Sequence, residues 1–294
     1  MIEGIFRNHD GALSEIFNNL NTTIRECVNV AAREEIPVRH IYIMWLHGES
    51  DRNLSRQDYG NLFSEFIDAT ESALIDLQVP IDWLVTQPSG TGTRGGGNHW
   101  PNRMAIFDVA DQRDNVTVVV AGYGYPMCDG SHYSASGKIM LGEALGRVVG
   151  LREAGLMYRV PRLARATVKD NRVRLLFDTP ASLLIDRDSF PPPDPFDGFA
   201  AHDRRGSTLT NVTIIGPDTV ELMLSKPPDL STLECSYAYT RNPAGRNPVE
   251  TDYPVGRGGL RTTAATPSEF CPGKKIHEWV AGFIVAGKEI LNET

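Results

Sequence analysis

The first half of the chain repeats its apolar residues with a helical period. At 13–31 and again at 59–77, an apolar residue recurs every three or four positions, which predicts amphipathic helices with one buried face. A third helix of this kind is predicted at 139–149 and a modest one at about 102–111. These helices have polar residues on the opposite side, as expected for helices packed on a core.

Short apolar runs lie between these helices, at 41–46, 81–85 and 116–120. The last run is β-branched and predicts a strand that is buried on both faces. Helix and strand therefore alternate from residue 12 to residue 150. This alternation predicts right-handed crossovers and a parallel sheet with helices on both faces.

The spacing of apolar residues changes past residue 157. Here short segments that alternate apolar and polar residues are separated by Pro, Gly and Asp. This spacing predicts an all-β module. The expected strands are 166–168, 172–177, 212–215, 220–224 and 235–239. The sequence thus predicts two domains, an α/β domain at 1–157 and a smaller β-rich accessory domain with a C-terminal segment at 158–294.

Composition excludes several classes of function. The 294 residues carry a formal net charge of -8, whereas nucleic acid or an anionic membrane surface would require clustered Lys and Arg. No apolar run approaches the roughly 20 residues of a membrane helix, and the first residues lack a signal-peptide pattern. The four cysteines form no Cys-x-x-Cys pair, so no zinc or redox motif is indicated and the compartment stays open.

Two polar clusters follow predicted strands. His47-Gly48-Glu49-Ser50-Asp51 comes directly after the strand at 41–46, and Asp129-Gly130-Ser131-His132 follows the strand at 116–120. Because the carboxyl ends of parallel strands meet at one edge of a sheet, we expect both clusters at a shared active site.

The spacing Asp129-x-x-His132 suits acid–base chemistry. A carboxylate three residues before a histidine can accept from Nδ1–H, which fixes the tautomer and leaves Nε2 as a general base. The alternative is an Asp-Gly turn before a surface histidine. For the first cluster the alternative is a loop whose acids are solvated or cap the next helix. A zinc deaminase site is disfavoured because the paired cysteines are missing.

Residues 45–51, Trp-Leu-His-Gly-Glu-Ser-Asp, resemble the W-x-Q-G-E-S-D signature of sialate O-acetylesterase-like carbohydrate esterases, a branch of the SGNH hydrolases. Residues 129–132 are similar to the D-G-x-H block of that family. The resemblance spans about residues 12 to 150. It implies a flavodoxin-like three-layer fold, no metal or cofactor, and removal of acetyl groups from sugar hydroxyls through an acyl-serine intermediate.

The resemblance also implies residue roles. His132 is the expected base and Asp129 its orienting carboxylate. The first block, His47, Gly48, Glu49 and Asp51, has oxyanion- or substrate-positioning roles. Trp45 and Tyr123 are candidate apolar platforms for an acetylated sugar, although large aromatic residues more often belong to the core.

The sequence departs from the family in two ways. The glutamine expected to face the oxyanion is His47, whose imidazole donates only in the right tautomer. The family's serine block is also not found: Ser14 lies on a helical segment, and Ser50 and Ser131 lie inside the motifs. Because the family's sheet has five strands and three are predicted here, we expect an N-terminally incomplete sheet with an edge exposed to an N-terminal segment or a partner subunit.

Two functions stay open. The first is a carbohydrate O-acetylesterase whose nucleophile block is missing from this chain, from a secreted enzyme or a viral tail component. The second is a non-catalytic glycan-binding or assembly protein with an esterase-like fold, because fold alone does not establish function.

Overall fold

The structure is a computed structural model. It describes residues 2–51, 54–89, 100–128, 132–189, 195–238 and 258–293.

The first half of the chain alternates helices and strands, as the period predicts. Its elements are α1 (Ile2–Phe6), α2 (Glu15–Arg33), β1 (Ile41–Trp45), α3 (Arg56–Ala73), β2 (Ile81–Gln87), α4 (Trp100–Gln112), β3 (Val116–Ala121) and α5 (Ala135–Glu153), with 3₁₀ turns at Ile75–Leu77 and Gly122–Gly124. The four predicted helices and three predicted strands are confirmed, with α3 beginning three residues earlier than the apolar stripe alone indicates.

Serine residues fix where three of these helices begin. Ser14, Ser55 and Ser134 are the N-caps of α2, α3 and α5, and each side chain accepts a hydrogen bond from the backbone N–H three residues later, at 3.0 to 3.1 Å. These bonds satisfy N–H groups that a helix cannot pair internally. Ser14 is therefore structural, as predicted.

The strands β1, β2 and β3 form a parallel sheet in that order. Trp45 points to one face of the sheet, where its ring stacks on Phe63 of α3 at 5.1 Å. Tyr42, of opposite parity on the same strand, points to the other face and donates to Glu153 of α5 at 2.7 Å. The sheet thus lies between two helical layers, which confirms the predicted α/β organisation.

The second half of the chain is β-rich. Its strands are β4 (Arg162–Lys169), β5 (Arg172–Asp178), β6 (Leu183–Ile185), β7 (Phe199–His202), β8 (Leu209–Ile214), β9 (Thr219–Leu224), β10 (Glu234–Tyr237), β11 (Leu260–Pro267), β12 (Lys275–Trp279), β13 (Phe283–Ala286) and β14 (Ile290–Asn292). They form sheets in the orders β14-β4-β5-β9-β8, β13-β10-β7 and β12-β11-β6, antiparallel except for the β14–β4 pair. The five predicted strands correspond to β4, β5, β8, β9 and β10.

Buried polar side chains join the two halves. The Gln87 amide, at the end of β2, donates to the Gly282 carbonyl at 2.8 Å and accepts from the Gly282 N–H at 2.8 Å. The hydroxyls of Tyr123 and Tyr237 lie 2.8 Å apart, and Arg103 is buried beside Gln87. Because buried polar groups are costly unless paired, this network holds the β-rich half against the carboxyl end of the parallel sheet.

Within the described part of the chain, no helix has the length and apolar character needed to cross a membrane.

Candidate functional site

The loop after β1 crosses the end of β2 in a conformation that requires glycine. Gly48 is buried and has a φ of +138°. A Cβ at this position would lie 2.5 Å from Cγ of Pro88, the residue that follows β2. The Gly48 carbonyl accepts a hydrogen bond from the Asn102 side chain near the start of α4. Gly48 therefore lets three segments meet at the carboxyl edge of the sheet.

His47 has a partner at each ring nitrogen. Nε2 lies 3.3 Å from a carboxylate oxygen of Asp51, and Nδ1 lies 3.4 Å from the Tyr59 hydroxyl. A carboxylate only accepts, so the neutral imidazole carries its proton on Nε2 and leaves Nδ1 as an acceptor. The Tyr59 hydroxyl lies 3.4 Å from both Nδ1 and the His47 carbonyl, and its one proton is shared between these two acceptors. In this tautomer neither nitrogen has a free N–H to direct at an oxyanion.

Burial lowers the pKa of His47, and the nearby Asp51 carboxylate only partly opposes this effect. The imidazole is therefore neutral at physiological pH. Burial also raises the pKa of Tyr59 well above its usual range, so its hydroxyl stays protonated and is available as the donor.

Asp51 is buried and joins the loop to the first helix. Its two carboxylate oxygens accept from the Ile2 N–H at 3.1 and 3.2 Å. The same carboxylate faces His47. Buried carboxylates require such partners, so Asp51 has a structural task at this position whatever else the loop does.

Glu49 links the loops that follow β1 and β2. Its carboxylate accepts from the Ser89 N–H at 3.2 Å. Glu49 is partly buried, whereas the Ser89 side chain is fully buried. The structure thus brings four residues of the first cluster, His47, Gly48, Glu49 and Asp51, to one place at the carboxyl edge, and each contacts a neighbouring segment there.

His132 follows β3 and is exposed. Its carbonyl accepts from the Cys128 N–H at 2.9 Å, and Met127 forms a β-bridge with Tyr133, so the turn that carries the imidazole is closed at its base. The Tyr133 hydroxyl packs against Gly122 at the end of β3. Asp129, together with 130–131, lies outside the described residues, so its predicted bond to His132 stays a prediction.

The two aromatic candidates belong to the core. Trp45 is 7% exposed and packs among Phe63 and Trp83. Tyr123 is fully buried, with its hydroxyl bonded to Tyr237 and to a backbone carbonyl. The prediction that Trp45 and Tyr123 form an exposed platform for a sugar is therefore wrong. The packing of α3 and of the β-rich half covers both rings.

Three residues of the site were not found by sequence reasoning. Asn102 and Ser89 contact the first cluster from the next loop and helix, and the Tyr59 hydroxyl lies next to Nδ1 of His47. The sequence places Tyr59 on the apolar stripe of α3 and downstream of the motif at residues 45–51, and predicts no site role for it. Its hydroxyl on an otherwise apolar face was the available signal, since a buried tyrosine usually has a hydrogen-bond partner.

No family model matches the sequence, and no curated protein is significantly similar to it. Among solved structures, the chain is similar to the crystal structure of a carbohydrate acetylesterase from Xanthomonas citri, with a TM-score of 0.52 and 17% sequence identity. The similar region covers 85% of this chain and 51% of that chain, so the chain spans about half the length of the solved structure. Since the α/β half makes up little more than half of the chain, the similarity extends into the β-rich half. This likeness supports an esterase-like fold.

Proposed function

We propose that the chain carries the acid–base part of a carbohydrate esterase of the SGNH type, which removes acetyl groups from sugar hydroxyls. The observation that supports this most is that both motif-bearing loops follow strands of one parallel sheet, β1 and β3 on either side of β2, in a fold similar to that of a carbohydrate acetylesterase. Ligands of open parallel sheets bind at this edge.

In the proposed reaction, a serine hydroxyl attacks the acetyl carbonyl while His132 takes its proton. His132 then returns the proton to the departing sugar oxygen, and water removes the acyl group from the serine by the same route. Asp129 would orient the imidazole. Because the N–H of His47 is directed at Asp51, we assign His47 and its loop to substrate positioning, and backbone N–H groups to the oxyanion.

The nucleophile in this proposal comes from polypeptide outside the printed residues. Among the described serines near the site, Ser14, Ser55 and Ser134 cap helices and Ser89 is fully buried. Ser50 is exposed but lies inside the first motif, where the resembled family does not use a serine as nucleophile. β1 is an edge strand of the parallel sheet, a type of sheet that is usually covered. Side chains at that edge remain open to solvent, with Met44 46% and Leu46 43% exposed. A serine-bearing segment or subunit that pairs with β1 would cover them.

Hydrolysis of an aryl acetate tests the proposal. The chain is assayed alone and together with the polypeptide encoded directly upstream of it, either in the same reading frame or by the neighbouring gene. We expect little turnover by the chain alone and restored turnover with the added segment. His132→Ala should abolish the restored activity, whereas His202→Ala, at an exposed histidine of β7, should not. Turnover that survives His132→Ala, or no acetyl ester hydrolysis by either form, contradicts the proposal.

The engaged nitrogens of His47 favour one alternative, a non-catalytic glycan-binding or assembly protein. A positioning residue held by Asp51 and Tyr59 serves binding as well as it serves catalysis. This alternative predicts that sugars bind the chain without any acetate release, even when the added segment is present. In either case we expect carbohydrate, rather than nucleic acid or a membrane surface, to be the partner.

A further inference from the structure

Two clefts adjoin on the outer side of α4. The first has a volume of about 460 Å³ and lies between α4, the start of β4 and β13. The second, of about 510 Å³, continues past the end of α4 to the start of β3 and the chain that leads into β4. Phe107, Asp111 and Arg162 line both. We call the two clefts the α4 groove. None of its lining residues belongs to the loops that carry His47 and His132.

Ion pairs hold the polar groups of the α4 groove in place. Arg162 pairs with Asp111 at 2.8 Å, at the point where the two clefts meet. The Arg162 guanidinium also lies 5.7 Å from the centre of the Phe107 ring. Arg56, at the start of α3, makes two parallel hydrogen bonds to Asp108. Guanidinium donors and carboxylate acceptors therefore stand side by side in fixed orientations, next to apolar surface.

The charges of the first cleft nearly cancel. It is lined by three arginines and four carboxylates, which gives a formal charge of -1: Arg56, Arg162, Arg165, Asp108, Asp111, Asp178 and Glu289. A phosphate or other anion would require an excess of positive charge, and a purely apolar ligand would leave the ion pairs without solvent. A ligand whose hydroxyls both donate to carboxylates and accept from guanidinium groups satisfies the lining.

We propose that the α4 groove binds a neutral oligosaccharide. Each cleft has the volume of a typical ligand site, about 300–1,000 Å³, and the two adjoin along one helix, as a linear chain of sugar rings requires. Sugar C–H faces would pack on the apolar lining while their hydroxyls contact the paired charges. The inference does not depend on the proposed esterase reaction, since the groove lies apart from the loops assigned to it and binding requires no acetyl group.

Calorimetric titration of the chain with unmodified maltohexaose, cellohexaose, xylohexaose and mannohexaose tests this proposal. We expect at least one hexasaccharide to bind, and its monosaccharide to bind more weakly because it fills only part of one cleft. Ala164→Trp, which places a bulky side chain in the first cleft at an exposed position of β4, should weaken binding roughly tenfold or more. Asp111→Asn, which keeps the shape and removes the charge, should weaken it about two- to tenfold.

Thr213→Trp is the matched control, because Thr213 is an exposed strand position of β8 that lines neither cleft. It should bind the hexasaccharide as the parent chain does, and thermal unfolding should show that all variants fold. The proposal is wrong if none of the four hexasaccharides binds, or if folded Ala164→Trp and Asp111→Asn bind as tightly as the parent. Failure of acetyl ester hydrolysis has no bearing on either result.

Discussion

Replacement of Gly48 by alanine tests the geometry of the carboxyl edge. At a φ of +138°, an L-residue is strained, which costs about 1–3 kcal/mol. The new Cβ would also lie 2.5 Å from Cγ of Pro88, well inside the usual contact distance of about 3.5–4.0 Å. Relief of that overlap in a packed region costs about 1–3 kcal/mol more. We therefore expect Gly48→Ala to lower the free energy of unfolding by roughly 2–6 kcal/mol.

Denaturant-induced unfolding, followed by circular dichroism, measures this change. Gly146→Ala is the matched control, because Gly146 lies inside α5 and a Cβ there would meet nothing within 4 Å. Since alanine is the better helix former, this variant should be more stable than the parent by about 0.5–1 kcal/mol. A Gly48→Ala protein that unfolds at the same denaturant concentration as the parent would refute the described path of the loop.

Denaturant-induced unfolding also tests two further substitutions and one change of pH. Tyr123→Phe removes a buried hydroxyl that pairs with two groups of the β-rich half, and should lower the free energy of unfolding by roughly 1–3 kcal/mol. Asp51→Ala leaves the Ile2 N–H and the Nε2–H of His47 without their acceptor, and should cost roughly 2–3 kcal/mol. Burial lowers the pKa of His277 to about 4 from 6.5, so stability should fall as the pH drops from about 6.5 to 4, and His277→Gln should reduce that slope.

The sign of the His277 prediction follows from proton binding. The unfolded chain binds a proton at this histidine below about pH 6.5, whereas the folded chain resists it until about pH 4, so acid favours unfolding within that window. A pH profile with the same slope in His277→Gln would contradict this origin. Unchanged unfolding of Tyr123→Phe would show that the two halves are not joined through that hydroxyl, and unchanged unfolding of Asp51→Ala would show that α1 is not held by the loop.

The sequence predicts the elements of the α/β half well because their signals are local. The apolar stripe of α2 repeats within one helix, and Ser14 and Ser55 cap helices through bonds to residues only three positions away. The β-rich half is predicted less completely. Strands such as β6 and β14 are three residues long, too short to show alternation, and are defined by distant partners such as Ala166 for Ile290.

The site shows the same division. The alternation of helices and strands predicts a parallel sheet. The positions of the clusters at 47–51 and 129–132, each after a parallel strand, could therefore be predicted. The hydrogen-bond partner of the buried Tyr123 hydroxyl could not, since Tyr237 is 114 positions away. The contact between Nδ1 of His47 and the Tyr59 hydroxyl likewise depends on the packing of α3 against the loop, which the apolar period does not predict. Tertiary contacts, and not the local pattern, determine which side chains of a motif stay free for a substrate.

Acetate release from an O-acetylated xylooligosaccharide, followed by proton NMR, tests the central claim most directly. The account predicts release by the chain joined to its serine-bearing segment, and a loss of at least about a thousandfold in kcat for His132→Ala, as expected when the base of a nucleophile–base pair is removed. Equal rates for the parent and His132→Ala would contradict the assignment of the carboxyl edge as an esterase site.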